Sequence, residues 1–379
     1  MHRFSLLVAG LVWLASPVAS AGEITRLWLT HRTHDPSKIV VNWETDAPGN
    51  SIVHYGVDAD LRETARQDDH VTLHHVEIPL AANADRYHYR VTTGEDRSAP
   101  ASFKAYPKDL VRIAVVANWH ARPKLDALIA DNIHLLTTAG DNVESLHRLC
   151  GPGKADCTKP YTALIAAYPE LFRTTPFLPI LGNHDREIRP RGNKPPTDAV
   201  YDVEAQAFRA FFELPGDEWK WHFEIPSVDL RLIALDLNHI SDQGTTWQTC
   251  HPLTKDSPQF LWYEKLMSTE RPVTVVTLYN ERNSTMRSQE GAAWHELFRK
   301  GTIAVTGFGY FAERAEVDGF PYYNTSLGGK GAKYADPKSK FFASEDNYLL
   351  LSVSRDKLRV EIKNLDGNTL DQKDYPRRK

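Results

Sequence analysis

The sequence predicts a β-sandwich followed by an α/β domain. Three observations carry this prediction. From Ile24 to Lys104 the chain runs in short alternating segments separated by turn residues. From Val111 onward, continuous apolar runs alternate with helix-like stretches. Several of those apolar runs stop abruptly in clusters of Gly, Asn, Asp and His. Short alternating strands suit a two-sheet sandwich, whereas buried strands interleaved with helices suit a sheet covered by helices.

Taken in order, the chain begins with a targeting segment. Arg3 supplies a positive charge, Phe4 to Leu14 is almost wholly apolar, and Ala19-Ser20-Ala21 precedes Gly22. Residues 1–21 therefore read as a secretory signal peptide, too short to span a bilayer. Export to a periplasmic or extracellular location is the expectation. No cysteine follows the cleavage site to carry a lipid, and no later stretch is apolar enough for a membrane span.

The predicted sandwich covers residues 22–105. Ile39 to Trp43 is one expected strand, and Ser51 to Tyr55 the next, after the turn residues Pro48-Gly49-Asn50. Val76 to Pro79, Tyr87 to Val91 and Ala101 to Ala105 continue the series. The size is that of a fibronectin-III-like module. His54, His70, His74, His75 and His88 are expected on the surface or between strands.

Tyr106 to Asp109 is a polar linker, and the α/β domain is expected over 109–379. Its predicted strands are Val111–Ala117, His134–Ala139, Leu178–Leu181, Leu230–Leu235, Val273–Thr277 and Ile303–Thr306. Helices are predicted at Arg122–Ala130, Ala163–Ala167 and Ala205–Phe212, and from Ser257-Pro258, a serine cap before a first-turn proline. Tyr348 to Asn364 alternates like a closing hairpin.

Composition is ordinary for a folded protein, with 41% hydrophobic and 25% charged residues. A net charge of −4 without a long basic run gives no ground for a nucleic-acid partner. Of three cysteines, Cys150 and Cys157 flank a loop and are placed to close it, while Cys250 is an alternative partner for either. Their spacing does not suit a thiolate metal site.

The chemistry gathers at strand ends. Val115 to Ala117 runs into Asn118-Trp119-His120, Thr137 to Ala139 into Gly140-Asp141-Asn142, and Leu178 to Leu181 into Gly182-Asn183-His184-Asp185. Carboxylate, amide oxygen and imidazole groups at one sheet edge suit Zn, Mn or Fe. His184 can donate or accept a proton near neutral pH, and Asp185 beside it is the expected orienting carboxylate.

This order of motifs resembles the calcineurin-like metallophosphoesterases. With a sandwich in front, it is most similar to the purple acid phosphatase group. Gly140-Asp141-Asn142-Val143 and Gly182-Asn183-His184-Asp185 match two family motifs outright. Phe208 to Gly216, Pro258 to Trp262 and Glu313-Arg314 resemble further family segments. The resemblance implies a four-layer α/β/β/α sandwich. It implies two metal ions bridged by Asp141, with Asn183 and His120 as ligands and His184 as leaving-group acid or phosphate donor.

The departures bear on activity. Asn118 stands where the family has aspartate, and Glu144 where some relatives have tyrosine. Leu278-Tyr279-Asn280-Glu281 stands where a histidine is expected. Gly307-Phe308-Gly309-Tyr310 stands where the family has Gly-His-x-His. Asp141 is the one certain anion left for two ions that repel each other. The ligands that remain are His120, Asp141, Asn183 and the neutral oxygen of Asn118. This set predicts no metal or one weakly bound divalent ion, rather than the Fe/Zn/Mn pair the family implies. Phe308 cannot ligate at all, and with Tyr310 it is expected to fill vacated space. A sharper alternative is Tyr310 or Tyr279 as a phenolate ligand to ferric iron.

The function predicted is therefore that of an exported phosphoesterase-fold protein, noncatalytic or very weakly active, with a phosphate ester or other anion as the candidate ligand of the residual pocket. The alternative is an active phosphomonoesterase or phosphodiesterase using one metal, or Glu281 and Glu313 as substitute ligands. A third reading assigns the function to the sandwich as a binding module. Asn118, His120, Asp141, Asn183, His184, Tyr279, Phe308 and Tyr310 are predicted to meet in one pocket.

Overall fold

A computed structural model describes residues 23–81, 84–191, 198–237, 251–279, 289–328 and 335–378. The expected leader, Cys250, Asn280 and Glu281 lie outside these residues.

The N-terminal region holds β1 (Leu27–Thr30), β2 (Lys38–Gly56), β3 (Glu63–Pro79), β4 (Arg86–Thr93), β5 (Asp96–Arg97) and β6 (Ala101–Lys104). Two strands expected from the sequence prove to be halves of one. Pro48-Gly49-Asn50 does not reverse the chain, because β2 stays paired with β3 while its register slips between Glu44 and Ser51. Such slips bend a strand. The first half of β2 pairs with β1 and the second with β4. Ile39, Val41 and Trp43 from one half then share a core with Val53 and Tyr55 from the other. Across that core Trp43 Nε1 donates to Thr93 Oγ1 at 2.9 Å. His74 is buried here, one of the histidines expected on the surface or between strands, and it lies opposite Trp43 across β2 and β3. It stacks on Trp43 at 4.7 Å, and its nitrogens pair with Ser51 Oγ at 2.8 Å and Thr45 Oγ1 at 2.9 Å. Burial, aided by neighbouring His75, pushes its pKa down to about 4.

The second region runs β7 (Leu110–Val116), α1 (Asp126–Ala130), β8 (Leu135–Thr138), α2 (His147–Cys150), α3 (Lys159–Ala167), α4 (Pro169–Thr174), β9 (Phe177–Leu178), α5 (Gln206–Phe212), β10 (Trp221–Ile225) and β11 (Leu230–Leu235). It continues through α6 (Pro258–Met267), β12 (Val273–Leu278), α7 (Gln289–Phe298), β13 (Ile303–Thr306), β14 (Ala312–Val317), β15 (Phe320–Asn324) and β16 (Ser339–Ala343). A meander of β17 (Asn347–Ser354), β18 (Lys357–Asn364) and β19 (Thr369–Pro376) ends it, one strand more than the expected hairpin.

Two sheets result, ordered β19-β18-β17-β7-β8-β9 and β10-β11-β12-β13-β15-β14-β16. Alternation along the second sheet shows the layering. Leu232, Ala234, Val273, Val275 and Val305 face the core shared with Val111, Ile113 and Val115 of the first sheet. Ile233, Leu235, Val276 and Leu278 face Phe260, Tyr263, Trp294 and Phe298 of α6 and α7. On the first sheet's side, Leu128, Tyr161, Leu164 and Phe211 come from α1, α3 and α5. The expected α/β/β/α layering follows from this alternation.

Proline shortens two of the expected elements. Pro179 has no N–H for the ladder, so β9 stops at Leu178, and Ile180 N donates instead to Thr138 Oγ1 at 3.0 Å. Pro123 disfavours a helical residue before it, and α1 begins only at Asp126. The cap of α6 forms as expected, with Ser257 Oγ accepting from Phe260 N at 3.2 Å. Cys150 and Cys157 are joined, stapling the end of α2 to the start of α3. Trp28 of β1 stacks on Phe211 of α5 at 4.2 Å and joins the sandwich to the second region.

Candidate metal centre

The edge where β7, β8 and β13 end builds the site. Gly140 and Asp141 turn the chain sharply after β8, with φ of +93° and +56°, and Asn118 does so after β7 at +52°. Little room is left between these turns. A Cβ on Gly140 would lie 2.5 Å from the Cβ of Tyr279, and one on Gly182 would lie 2.0 Å from Asp141 Oδ1. Glycine at both positions lets the loops close on one another.

Asp141 is the centre. Its carboxylate is fully buried, and Oδ1 accepts the His184 N–H at 3.1 Å. Oδ2 faces His120 Nε2 at 3.4 Å and His184 Nε2 at 3.9 Å. The potential ligand atoms of His120, Asp141 and His184 all lie within 4.8 Å of one another. Burial works against the Asp141 charge, but His184, His120 and Tyr279 outweigh it and hold the carboxyl well below its usual range. Burial likewise opposes charge on His184, yet Asp141 and Glu187 raise its pKa to about 9.

His184 is oriented by Glu187, whose Oε2 lies 2.9 Å from Nδ1. The expectation that Asp185 does this is corrected. The Asp185 carboxylate turns inward, accepting from Gly182 N at 2.7 Å and from Asn142 Nδ2 at 3.0 Å. It ties two loops together, and burial, then Asp141, pushes its pKa up to about 7. Glu187 was legible only as the residue three after His184, a neighbour once Asn183-His184-Asp185 enters the short turn His184–Arg186.

A pH dependence follows for the metal-free chain. The raised pKa of His184 means its stabilisation is complete below the ordinary value of 6.5 and lost as pH rises through about 9. The raised pKa of Asp185 acts in the same direction over a lower window, its contribution lost as pH rises from 3.8 to about 7. Thermal midpoints in chelator should therefore fall between pH 6.5 and 9, and His184→Gln should flatten that fall.

The other expected members are also here. Asn118 Nδ2 donates to the Gly307 carbonyl and to Ser326 Oγ at 3.1 Å, while Oδ1 accepts from the Tyr279 hydroxyl at 3.2 Å. Its oxygen thus accepts one hydrogen bond from protein in the metal-free chain. Tyr279 is buried over Gly140 and meets Phe308 edge-on at 5.8 Å. Leu278 instead lies in the core beneath α6 and α7, so of the two it is Tyr279 that faces the site. Burial and the Asp141 carboxylate keep the Tyr279 hydroxyl well above the usual phenol range in the metal-free chain. Tyr310 is partly exposed, its hydroxyl 3.3 Å from His120 Nδ1. Asn183 is buried between Gly182 and His184, both of which touch Asp141. Glu313 accepts from Asp336 N at 2.7 Å, so it is committed elsewhere.

The donor set can be tested against the two-ion centre of the resemblance. His120 Nε2, Asp141 Oδ2 and His184 Nε2 fit one divalent ion, three ligands being the minimum for an open catalytic site. Among the described residues this is the one such group of three His, Cys or carboxylate ligands, while Asn118, Tyr279 and Phe308 stand at the neighbouring motif positions.

Searches of family models and of curated proteins return no match for the sequence. Solved structures do match. A purple acid phosphatase from yellow lupin (Lupinus luteus) seeds aligns with 93% of this chain and 74% of its own, at 15% identity and a TM-score of 0.69. A structure of PhoD aligns with 95% of this chain and 90% of its own, at 13% identity and a TM-score of 0.65. Both alignments extend over the sandwich as well as the two-sheet region. At such identity the likeness establishes architecture: the chain has the calcineurin-like metallophosphoesterase fold behind an N-terminal β-sandwich.

Proposed function

We propose that this is an exported phosphoesterase-fold protein that binds a phosphate ester or related oxyanion and hydrolyses it very slowly or not at all. The observation that carries the proposal is Tyr279, packed on Gly140 and bonded to Asn118 where a second metal ion would need ligands. The fixed charges at the pocket offset one another. His184 and Arg191 oppose Asp141 and Glu187, with Arg191 Nε 3.3 Å from Glu187 Oε1. The Cys150–Cys157 disulfide supports export, since such bonds persist in oxidising compartments.

A second reading has one specific observation in its favour. The His120, Asp141 and His184 cluster can hold one divalent ion, which would supply Lewis acidity at the pocket. In that case His184, whose Nδ1 is held by Glu187, would either coordinate the ion through Nε2 or, left uncoordinated, be the nearest proton donor, not both. General acid catalysis contributes only about 10²–10⁴-fold, too little for so slow a background reaction. The expected result is no turnover of p-nitrophenyl phosphate or its bis-ester above background with added Zn, Mn or Fe. Robust turnover that Asp141→Asn abolishes would establish the one-metal enzyme instead.

A further inference from the structure

Beside His120 lies a cleft of about 260 Å³. Its lining mixes apolar Trp119, Leu149, Pro160 and Leu164 with polar Asn142 and Ser145, and includes His120. The same imidazole faces Asp141 through Nε2, so cleft and metal-centre residues share a wall. We propose that this cleft receives the apolar body of an organic oxyanion whose charged head lies at His120 and His184. The inference rests on the oxyanion-binding reading and gives the ligand a chemical class.

Four features support it. The volume lies below the ~300–1,000 Å³ of drug-sized sites, so it suits one ring or a short branched chain. Leu149 at the rim is 55% exposed although apolar, and a bound ring would cover it. The charges at the mouth do not cancel. Arg148 is paired with Glu144, while Arg122 has no carboxylate partner among the described residues. One cation is left facing an anionic ligand. The wall is also fixed in place, because the Cys150–Cys157 disulfide links α2 to the start of α3. A preformed wall reduces the ordering cost of binding.

The test compares phenylphosphonate with methylphosphonate by titration calorimetry on the purified full chain. Both carry the same head, and neither can be hydrolysed as an ester. Phenylphosphonate should bind at least about tenfold more tightly, a difference of about 1.4 kcal/mol. Ala163→Trp, which fills the cleft from α3, should bring the ratio of the two affinities close to one. Leu149→Ser, at an exposed position that folding tolerates, should lower the ratio several-fold. Equal binding of the two phosphonates by the parent overturns the cleft proposal and leaves the oxyanion site standing. Binding of neither overturns the oxyanion reading and this inference with it.

Discussion

Four substitutions made together, Asn118→Asp, Tyr279→His, Phe308→His and Tyr310→His, should make the chain a metal-dependent phosphatase. The expected gain in turnover of p-nitrophenyl phosphate is at least roughly 10³-fold, the scale associated with one preorganised electrostatic group. Each single change should give nothing comparable, because two ions need ligands from several strand ends. Asn118→Asp alone should cost stability. It replaces an amide that donates to Gly307 O and Ser326 Oγ with a carboxylate that repels the Gly307 carbonyl. That cost should shrink in the fourfold variant when Zn or Mn is added, since a cation would then neutralise the new charge. Tyr279→His removes the ring packed over Gly140, and Phe308→His removes the ring packed against Tyr279. If the fourfold variant folds, binds no metal and stays inert, loss of ligands is not the reason for inactivity.

The largest stability effect is expected away from the metal ligands. Arg186 Nη1 meets Asp236 Oδ2 at 2.8 Å with both side chains fully buried. The pair joins the turn carrying His184 to the end of β11. On the β11 side, Gln259 of α6 donates to the Asp236 carbonyl at 3.0 Å and accepts from its N–H at 2.7 Å. Asp236→Ala leaves a guanidinium without its carboxylate in a dry interior, which costs about 3–5 kcal/mol. The denaturant midpoint should fall accordingly. Replacing both partners, Arg186→Met with Asp236→Leu, should cost clearly less than Asp236→Ala alone, because no charge is stranded. A double variant as unstable as the single would show that the loops need the ion pair itself.

Much of this architecture was legible in the sequence because its signals are local. Continuous apolar runs such as Leu230–Leu235 and Ile303–Thr306 gave strands with their observed limits. Ser257-Pro258 gave a helix start through cap chemistry. What misled was long-range pairing. Pro48-Gly49-Asn50 has the composition of a turn, yet the β3 ladder carries β2 through it. Most expected site residues do converge, since they follow strand ends that the sheet order brings together. Asp185 shows the limit of adjacency. Sequence neighbours in a tight turn point apart, so His184 finds Glu187 while Asp185 turns into the loops. The commitment of Asn118 to Gly307, Ser326 and Tyr279 depends on residues up to 208 positions apart, beyond any local signal.

The central claim is that Tyr279, Phe308 and Asn118 leave room and ligands for no more than one ion. Metal content after saturation with Zn, Mn or Fe and removal of excess, measured by plasma mass spectrometry against protein concentration, tests it most directly. The account predicts at most one equivalent per chain, lost in the His120→Ala variant. Two equivalents retained by the unaltered chain would contradict it.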